Sequence, residues 1–258
     1  MLFLVGIGLS GEDLSVRAAS VLKKCGKLYV DSYTSFIGED RIKAVEALSG
    51  KDAIALSRHD MEENARKLVG EAMSADIAIV AGGDPLVATT HKILAIEAAK
   101  QGAAFEIIHS ASIATAAKGE SGLDFYRFGA VCTVPMWQEH YKPVSFYETI
   151  YGNHSNNWHS LMLLDYDSAS SSSMPIAEAL RILGEAEKSY AKGLISEATK
   201  VIAMVSIGMP GSQKLYGTIK AMKAQEFGAG PAVLILPARL ESIEIEAMAA
   251  LNVKTVDE

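Results

Sequence analysis

Cysteine is nearly absent from this chain of 258 residues: Cys25 and Cys132 stand far apart, and neither has a Cys-x-x-Cys neighbour. That excludes a disulfide framework and a thiolate metal site. His154 and His159 are five positions apart in a polar segment and lack a third ligand at suitable spacing, so no metal is expected. Positive charge is also short. Lys and Arg number 24 against 31 Asp and Glu, a formal net charge of −7. A broad nucleic-acid footprint needs a surplus of cations on one surface, so no nucleic-acid partner is expected. Long apolar runs are missing as well, since Asp, Lys or Ser breaks each of them short of the roughly 20 residues that cross a bilayer. The start, Met1-Leu2-Phe3-Leu4-Val5-Gly6-Ile7-Gly8, lacks the basic head and small-residue cleavage site of a signal peptide. No membrane association and a cytoplasmic location are the expectations.

What remains is the balance of a soluble globular protein, 49% hydrophobic and 21% charged, with enough apolar material for one large core or two smaller ones. Through the first 110 positions, five short aliphatic runs alternate with segments of helical period: strands near Leu2–Val5, Lys27–Asp31, Ala53–Leu56, Ile77–Ala81 and Phe105–His109, helices near Leu14–Lys24, Asp40–Leu48, Met61–Met73 and Val87–Gln101. Such alternation predicts a parallel sheet wrapped by helices. The pattern then loosens. Strands near Ala130–Val134, Leu161–Asp165, Val201–Ser206 and Ala232–Leu236, with helices near Ser145–Tyr151, Pro175–Lys188 and Glu241–Leu251, predict a second α/β domain with a mixed sheet. The boundary is placed at 111/112, giving domains 1–111 and 112–258. The serine run from Ser168 to Ser173 reads as a solvated loop.

Gly6-Ile7-Gly8-Leu9-Ser10-Gly11 satisfies Gly-x-Gly-x-x-Gly directly after a strand, and Asp31 follows 20 positions after Gly11. A dinucleotide site is the obvious reading. Glu12 and Asp13 oppose it, because carboxylates at a helix N-terminus repel the pyrophosphate that would bind there. Asp13 is expected to cap a helix beginning at Leu14. The bland alternative is a tight turn without a ligand. The functional alternative is a ligand without phosphates, and S-adenosylmethionine, a sulfonium and a zwitterion, qualifies. A second strand, Ile77–Ala81, runs into Gly82-Gly83-Asp84-Pro85, read as a glycine turn with Asp84 as N-cap and Pro85 at the first helical position. Both turns, and the one after His109, fall on the carboxyl edge of the predicted sheet, where open α/β sheets bind ligands.

At this point the sequence resembles a known family. The Gly-Asp-Pro turn is similar to that of the tetrapyrrole-methylase-like (class III) methyltransferases, and its continuation Leu86-Val87-Ala88-Thr89-Thr90-His91 resembles the diphthine synthase branch. Gly6-Ile7-Gly8-Leu9, Tyr33-Thr34-Ser35, His109 with Ser112-Ile113, Gly122-Leu123 with Tyr126-Arg127-Phe128-Gly129, and Leu234-Ile235-Leu236-Pro237 extend the resemblance over nearly the whole chain. It implies a two-domain α/β homodimer with a parallel five-stranded N-terminal sheet, a mixed C-terminal sheet, and S-adenosylmethionine in a cleft between the domains, released as S-adenosylhomocysteine. The implied cofactor contacts are Leu9, Asp84, Val87, Ser112, Ile113, Leu164, Ile207 and Ala232. The implied substrate is translation elongation factor 2, methylated on the amine of a modified histidine. The chain departs from the family pattern at Gly82, Ala238 and Ser206-Ile207-Gly208-Met209. Asp31, Tyr33, Glu120, Tyr126 and Asp165 are further candidates to face the substrate, and no general base is assigned. The rivals are a tetrapyrrole methyltransferase, a nicotinamide dehydrogenase, and a silent binding module.

Overall fold

The computed structural model describes residues 1–34, 37–167 and 172–256. Within it the chain divides into two compact units, the first Met1–Ile113 and the second beginning at Ala114.

Among the described residues, the first unit runs β1 (Leu2–Gly6), α1 (Val16–Lys24), β2 (Lys27–Asp31), α2 (Glu39–Ser49), β3 (Ala53–Leu56), α3 (Arg58–Glu62), α4 (Ala65–Ala72), β4 (Ile77–Ala81), α5 (Lys92–Gln101) and β5 (Phe105–Ile108). The strands form one sheet in the order β3-β2-β4-β1-β5, every pair parallel. A parallel sheet must be covered on both faces, and the sequence supplies apolar residues for both. Leu2, Leu4, Ile77 and Ile79 pack on one side with Met61, Leu68, Val69 and Leu94, while Val5, Ala78 and Val80 pack on the other with Ala18, Leu22 and Val45. The strand period of two sorts alternate residues to opposite layers. Consequently α3, α4 and α5 cover one face, and α1 and α2 the other.

Several local expectations are corrected here. The helix expected at Met61–Met73 is two helices, because Ser57 and Asp60 form a capping box that starts α3 early and the chain restarts at Asn64. The helix expected from Val87 begins only at Lys92, so Asp84 and Pro85 open a long turn rather than a helix. Helix α1 is capped by Ser15, whose side chain accepts from the Ala18 amide, and not by Asp13.

The second unit holds α6 (Ile113–Glu120), β6 (Cys132–Val134), α7 (Phe146–Ser155), β7 (Ser160–Leu164), β8 (Tyr166–Asp167), β9 (Ser172–Ser173), α8 (Ile176–Tyr190), β10 (Lys200–Val205), β11 (Gln213–Thr218), α9 (Ile219–Lys223), β12 (Ala232–Leu236), α10 (Ser242–Ala250) and β13 (Lys254–Val256). Its sheet, ordered β13-β11-β10-β12-β7-β6, is mixed: β11–β13 and β6–β7 are parallel, the other pairs antiparallel. The run from Ser168 to Ser173 reads as loop in the sequence, yet Ser172 and Ser173 pair with Asp167 and Tyr166 in a short ladder. Residues 168–171 lie outside the described residues, as does Ser35 of the Tyr33-Thr34-Ser35 segment.

The Gly122–Gly129 segment is the polar anchor of this unit. Glu244, on the first turn of α10 and only 2% exposed, accepts from the Asp124 and Glu241 amides, from Arg127 at 2.6 Å and from His159 Nε2 at 2.9 Å. His159 Nδ1 in turn accepts from the Ala238 amide, which fixes a neutral ring protonated at Nε2. Burial pushes the His159 imidazole below its ordinary value of 6.5 against the raising pull of Glu244. The unfolded chain therefore takes up the proton first as acid is added. This contribution to stability is complete above about pH 6.5 and is lost as the pH falls from there through the lower folded-state value. In urea titrations, His159→Gln is expected to be less stable at neutral pH and to lose part of the wild-type pH dependence below it; a variant with the full wild-type slope contradicts this account.

Candidate cofactor edge of the parallel sheet

Strand order puts β1 and β4 side by side at the point where the chain's crossovers change direction, so the loops leaving their carboxyl ends must meet. They do so through bare backbone. The Gly8 amide donates to the Gly83 carbonyl at 3.2 Å, and the Gly83 amide returns a bond to the Gly8 carbonyl at 2.8 Å. A side chain is not tolerated at this crossing. A Cβ on Gly6 would lie 2.6 Å from the Gly83 carbonyl oxygen, 2.8 Å from Pro85 Cδ and 3.0 Å from Ser110 Cβ. Gly8, at a φ of +72°, would bring a Cβ 2.3 Å from that of Asp13.

Asp13 explains the first turn. Its Oδ2 accepts from the Leu9 amide at 2.9 Å and the Ser10 amide at 2.7 Å, so the carboxylate caps the glycine loop itself. A dinucleotide pyrophosphate needs those amides, and a fixed negative charge already holds them. A phosphate at this turn would meet that charge, and a ligand without phosphates would not.

The turn after β4 is held at both ends by carboxylates. Asp84, 8% exposed, accepts from the Leu86 amide at 3.0 Å through Oδ1, and from His109 Nδ1 at 2.7 Å and the Ser110 amide at 3.3 Å through Oδ2. One side chain thereby ties the β4 turn to the β5 turn. At the far end, fully buried His91 bonds the Pro85 carbonyl through Nδ1 at 2.7 Å and Asp31 through Nε2 at 2.9 Å. Asp31 also accepts from the Tyr33 and Thr34 amides and from the Thr34 hydroxyl. Burial alone would raise the Asp31 carboxyl, but hydrogen bonding to His91, the charge of that ring, Thr34 and the Tyr33 amide outweigh it and hold the group below its ordinary value. Tyr33 adds a hydroxyl contact to Thr90 at 2.8 Å. Between these anchors Ala88 takes a φ of 56°, a conformation an L residue holds only when its surroundings enforce it.

The expected cofactor residues fall into two groups. In the first unit, Leu9, Asp84, Val87 and Ser112 sit on the carboxyl-edge turns and Ile113, its last residue, opens α6; Ser112 is buried and Val87 exposed. In the second, Leu164 ends β7, Ile207 follows β10 and Ala232 opens β12. Register pairs Val205 with Ala232 and Leu163 with Val233, which brings those three to one edge of the mixed sheet. Ser206 there has a φ of 55°, and its amide donates to the Pro231 carbonyl. Of the other candidates, Asp31 is consumed by His91, Tyr33 by Glu62 and Thr90, Glu120 by Lys214, and Asp165 by the Met136 and Tyr166 amides. Tyr126 is 91% exposed. Sequence reasoning missed the pairing of His109 with Asp84, since 25 positions separate them and no local spacing signals it. Among the described residues no cluster of three or more His, Cys, Asp or Glu is placed to hold a metal, and no helix is long and apolar enough to cross a membrane.

A parallel sheet with a phosphate-excluding glycine edge, together with a mixed second sheet, is the architecture of one methyltransferase class, and the family model for tetrapyrrole (corrin/porphyrin) methylases matches residues 1–223. The chain belongs to that family and is an S-adenosylmethionine-dependent methyltransferase. Its relatives narrow the branch. Diphthine synthase of Methanocaldococcus jannaschii is 36% identical over 251 residues, covering 96% of this chain and 97% of its own. Diphthine synthase of Methanothermobacter thermautotrophicus is 34% identical over 247 residues, covering 95% and 93%. A crystal structure of a diphthine synthase, 29% identical, superposes with a TM-score of 0.85 over 97% of this chain and 96% of its own. A conserved protein of Aeropyrum pernix K1, 30% identical, superposes with a TM-score of 0.90 over 100% and 92%.

Two substitutions test the edge. Gly6→Ala must displace the Gly83 carbonyl, and is expected to lower stability by about 1–3 kcal/mol and to weaken binding of S-adenosylhomocysteine in calorimetry. Wild-type affinity in this variant counts against the close-approach argument. Asp31→Asn leaves a buried histidine without its counter-charge and is expected to cost about 3 kcal/mol or more near neutral pH. The sign follows from the lowered carboxyl: its contribution is present above the ordinary value of 3.8 and is lost as the pH falls through the folded-state value. The difference between variant and wild type in thermal melts therefore narrows in acid.

Proposed function

We propose that this methyltransferase acts on the amine of a 3-amino-3-carboxypropyl histidine of elongation factor 2, carrying it to the trimethylammonium in diphthamide biosynthesis, in the cytoplasm and as a homodimer. The observation that carries the reading is the Asp84–His91 turn. Its sequence has the pattern of the diphthine synthase branch, and its Asp84 and His91 side chains tie it to the turn after β5 and to the end of β2. Curated relatives named diphthine synthase match across nearly the full chain, which supports the same substrate class.

For the cofactor we propose contacts at Leu9, Asp84, Val87, Ser112 and Ile113, with Leu164, Ile207 and Ala232 contributing from the second unit. The glycine edge supports this reading: a Cβ at Gly6 would push the Gly83 carbonyl out of place, and Asp13 already holds the Leu9 and Ser10 amides that a phosphate would need. When bound, S-adenosylmethionine supplies a methyl carbon on a sulfonium whose leaving group is a neutral thioether. The chain's share of the work is alignment. Loops fixed by Asp84, Asp31 and the Gly8–Gly83 bonds hold main-chain contacts in place before the substrate arrives, so less ordering is left for the reaction step.

The test is to mix the purified protein with labelled S-adenosylmethionine and elongation factor 2 bearing the aminocarboxypropyl histidine, and to read the mass of the modified peptide. Three added methyl groups are expected. No added mass, while S-adenosylhomocysteine still raises the melting temperature, overturns the substrate assignment. A parallel arm with a reduced tetrapyrrole as acceptor is expected to stay unmethylated. NAD at the same concentration is expected to give no thermal shift, whereas a ligand at about 100 times its Kd adds roughly 2.7 kcal/mol.

A further inference from the structure

Among the described residues, three histidine–carboxylate pairs anchor loops, two in the first unit and one in the second, and they differ in what the ring has left to offer. His91 uses both nitrogens, on the Pro85 carbonyl and on Asp31, and is fully buried. His159 uses both as well, on Glu244 and on the Ala238 amide, and is also fully buried. His109 does not. Its Nδ1 meets Asp84 Oδ2 at 2.7 Å, yet 67% of its side chain is exposed while the Asp84 side chain is 9% exposed. The remaining pairs, His59 with Glu63 and His140 with Glu139, lie on the surface with both partners more than half exposed.

We infer that His109 is the proton acceptor of methyl transfer, oriented by Asp84. The inference rests on the methyltransferase reading above, and on geometry within the first unit. Asp84 also takes the Leu86 and Ser110 amides, so it is an acceptor and the histidine Nδ1 must donate to it. That fixes the tautomer and leaves Nε2 with a lone pair, on a ring standing at the carboxyl edge beside the β1 and β4 turns. The charged group in contact with this ring is Asp84 from the β4 turn, while the β1 turn reaches the neighbouring Ser110, whose hydroxyl donates to the Asp13 backbone carbonyl at 3.3 Å.

The step balances without another reactant. The substrate ammonium gives one proton to His109 Nε2, the electron pair of the broken N–H bond stays on nitrogen, and that pair forms the bond to the methyl carbon. The carbon–sulfur bond breaks with its electrons going to sulfur. The imidazolium then releases its proton to water, to which the exposed ring is open. Mono- and dimethylammonium products each carry a proton to give in the next round. A trimethylammonium carries none, so the same chemistry stops there.

The experiment compares wild type, His109→Gln and His109→Ala by single-turnover transfer to the histidine-modified elongation factor 2 across the neutral pH range, with S-adenosylhomocysteine affinity measured by calorimetry and folding checked by melting temperature. In His109→Gln the rate is expected to fall on the order of 100-fold with cofactor affinity nearly unchanged, and the ascending limb of the pH–rate profile is expected to vanish. Added imidazole is expected to restore part of the rate in His109→Ala. Nitrogen NMR of the wild-type ring is expected to show a proton on Nδ1 and a titrating Nε2. A His109→Gln enzyme with wild-type rate and pH profile, or a ring protonated at Nε2 alone, overturns the inference while leaving the methyltransferase assignment standing. A wild-type protein that methylates nothing on this acceptor removes the substrate reading and takes the inference with it.

Discussion

Everything at the cofactor edge depends on two loops crossing without side chains between them. The paired Gly8 and Gly83 hydrogen bonds extend the β1–β4 contact past the end of the sheet, and the missing Cβ at Gly6 lets the Gly83 carbonyl and Pro85 come to rest against it. Sheet order makes this contact unavoidable, because β1 and β4 are neighbours. A chain that places glycine there gains two close-packed turns joined main chain to main chain.

Carboxylates then fix what the glycines make possible. Asp13 holds the amides that a pyrophosphate would require. Asp84 joins the β4 turn to the β5 turn, and Asp31 joins the end of β2 to His91 at the root of α5. Asp31 and Asp84 are buried anions satisfied by several donors, the condition under which such a group organises structure instead of destabilising it, whereas Asp13 is exposed. In the second unit Glu244 plays the same part for the Gly122–Gly129 segment, through Arg127 and His159. The histidines that face these acids differ in burial, and burial separates an anchor from a ring still able to exchange a proton.

The strands of the first unit were legible almost to the residue, because a doubly covered parallel strand is a short continuous aliphatic run and little else produces one. Helix starts were less legible. Asp13 and Asp84 have the residue type and position of N-caps, but each turns its carboxylate onto the loop it belongs to, since a glycine turn offers free amides closer than the helix does. Strands β11 and β13 went unseen: Gln213–Thr218 is mostly polar and Lys254–Val256 is only three residues long, both at one edge of the sheet, where a strand faces partly outward and carries no apolar pattern.

The sequence by itself determined the alternating α/β plan, the glycine-bearing turns on one sheet edge, and the family. These are local matters of composition and spacing within some ten residues. Only the tertiary structure decided which acid meets which histidine. Asp31 with His91, Asp84 with His109 and Glu244 with His159 are separated by 60, 25 and 85 positions. Such pairs come together through strand order and crossover packing, which periodicity along the chain does not encode.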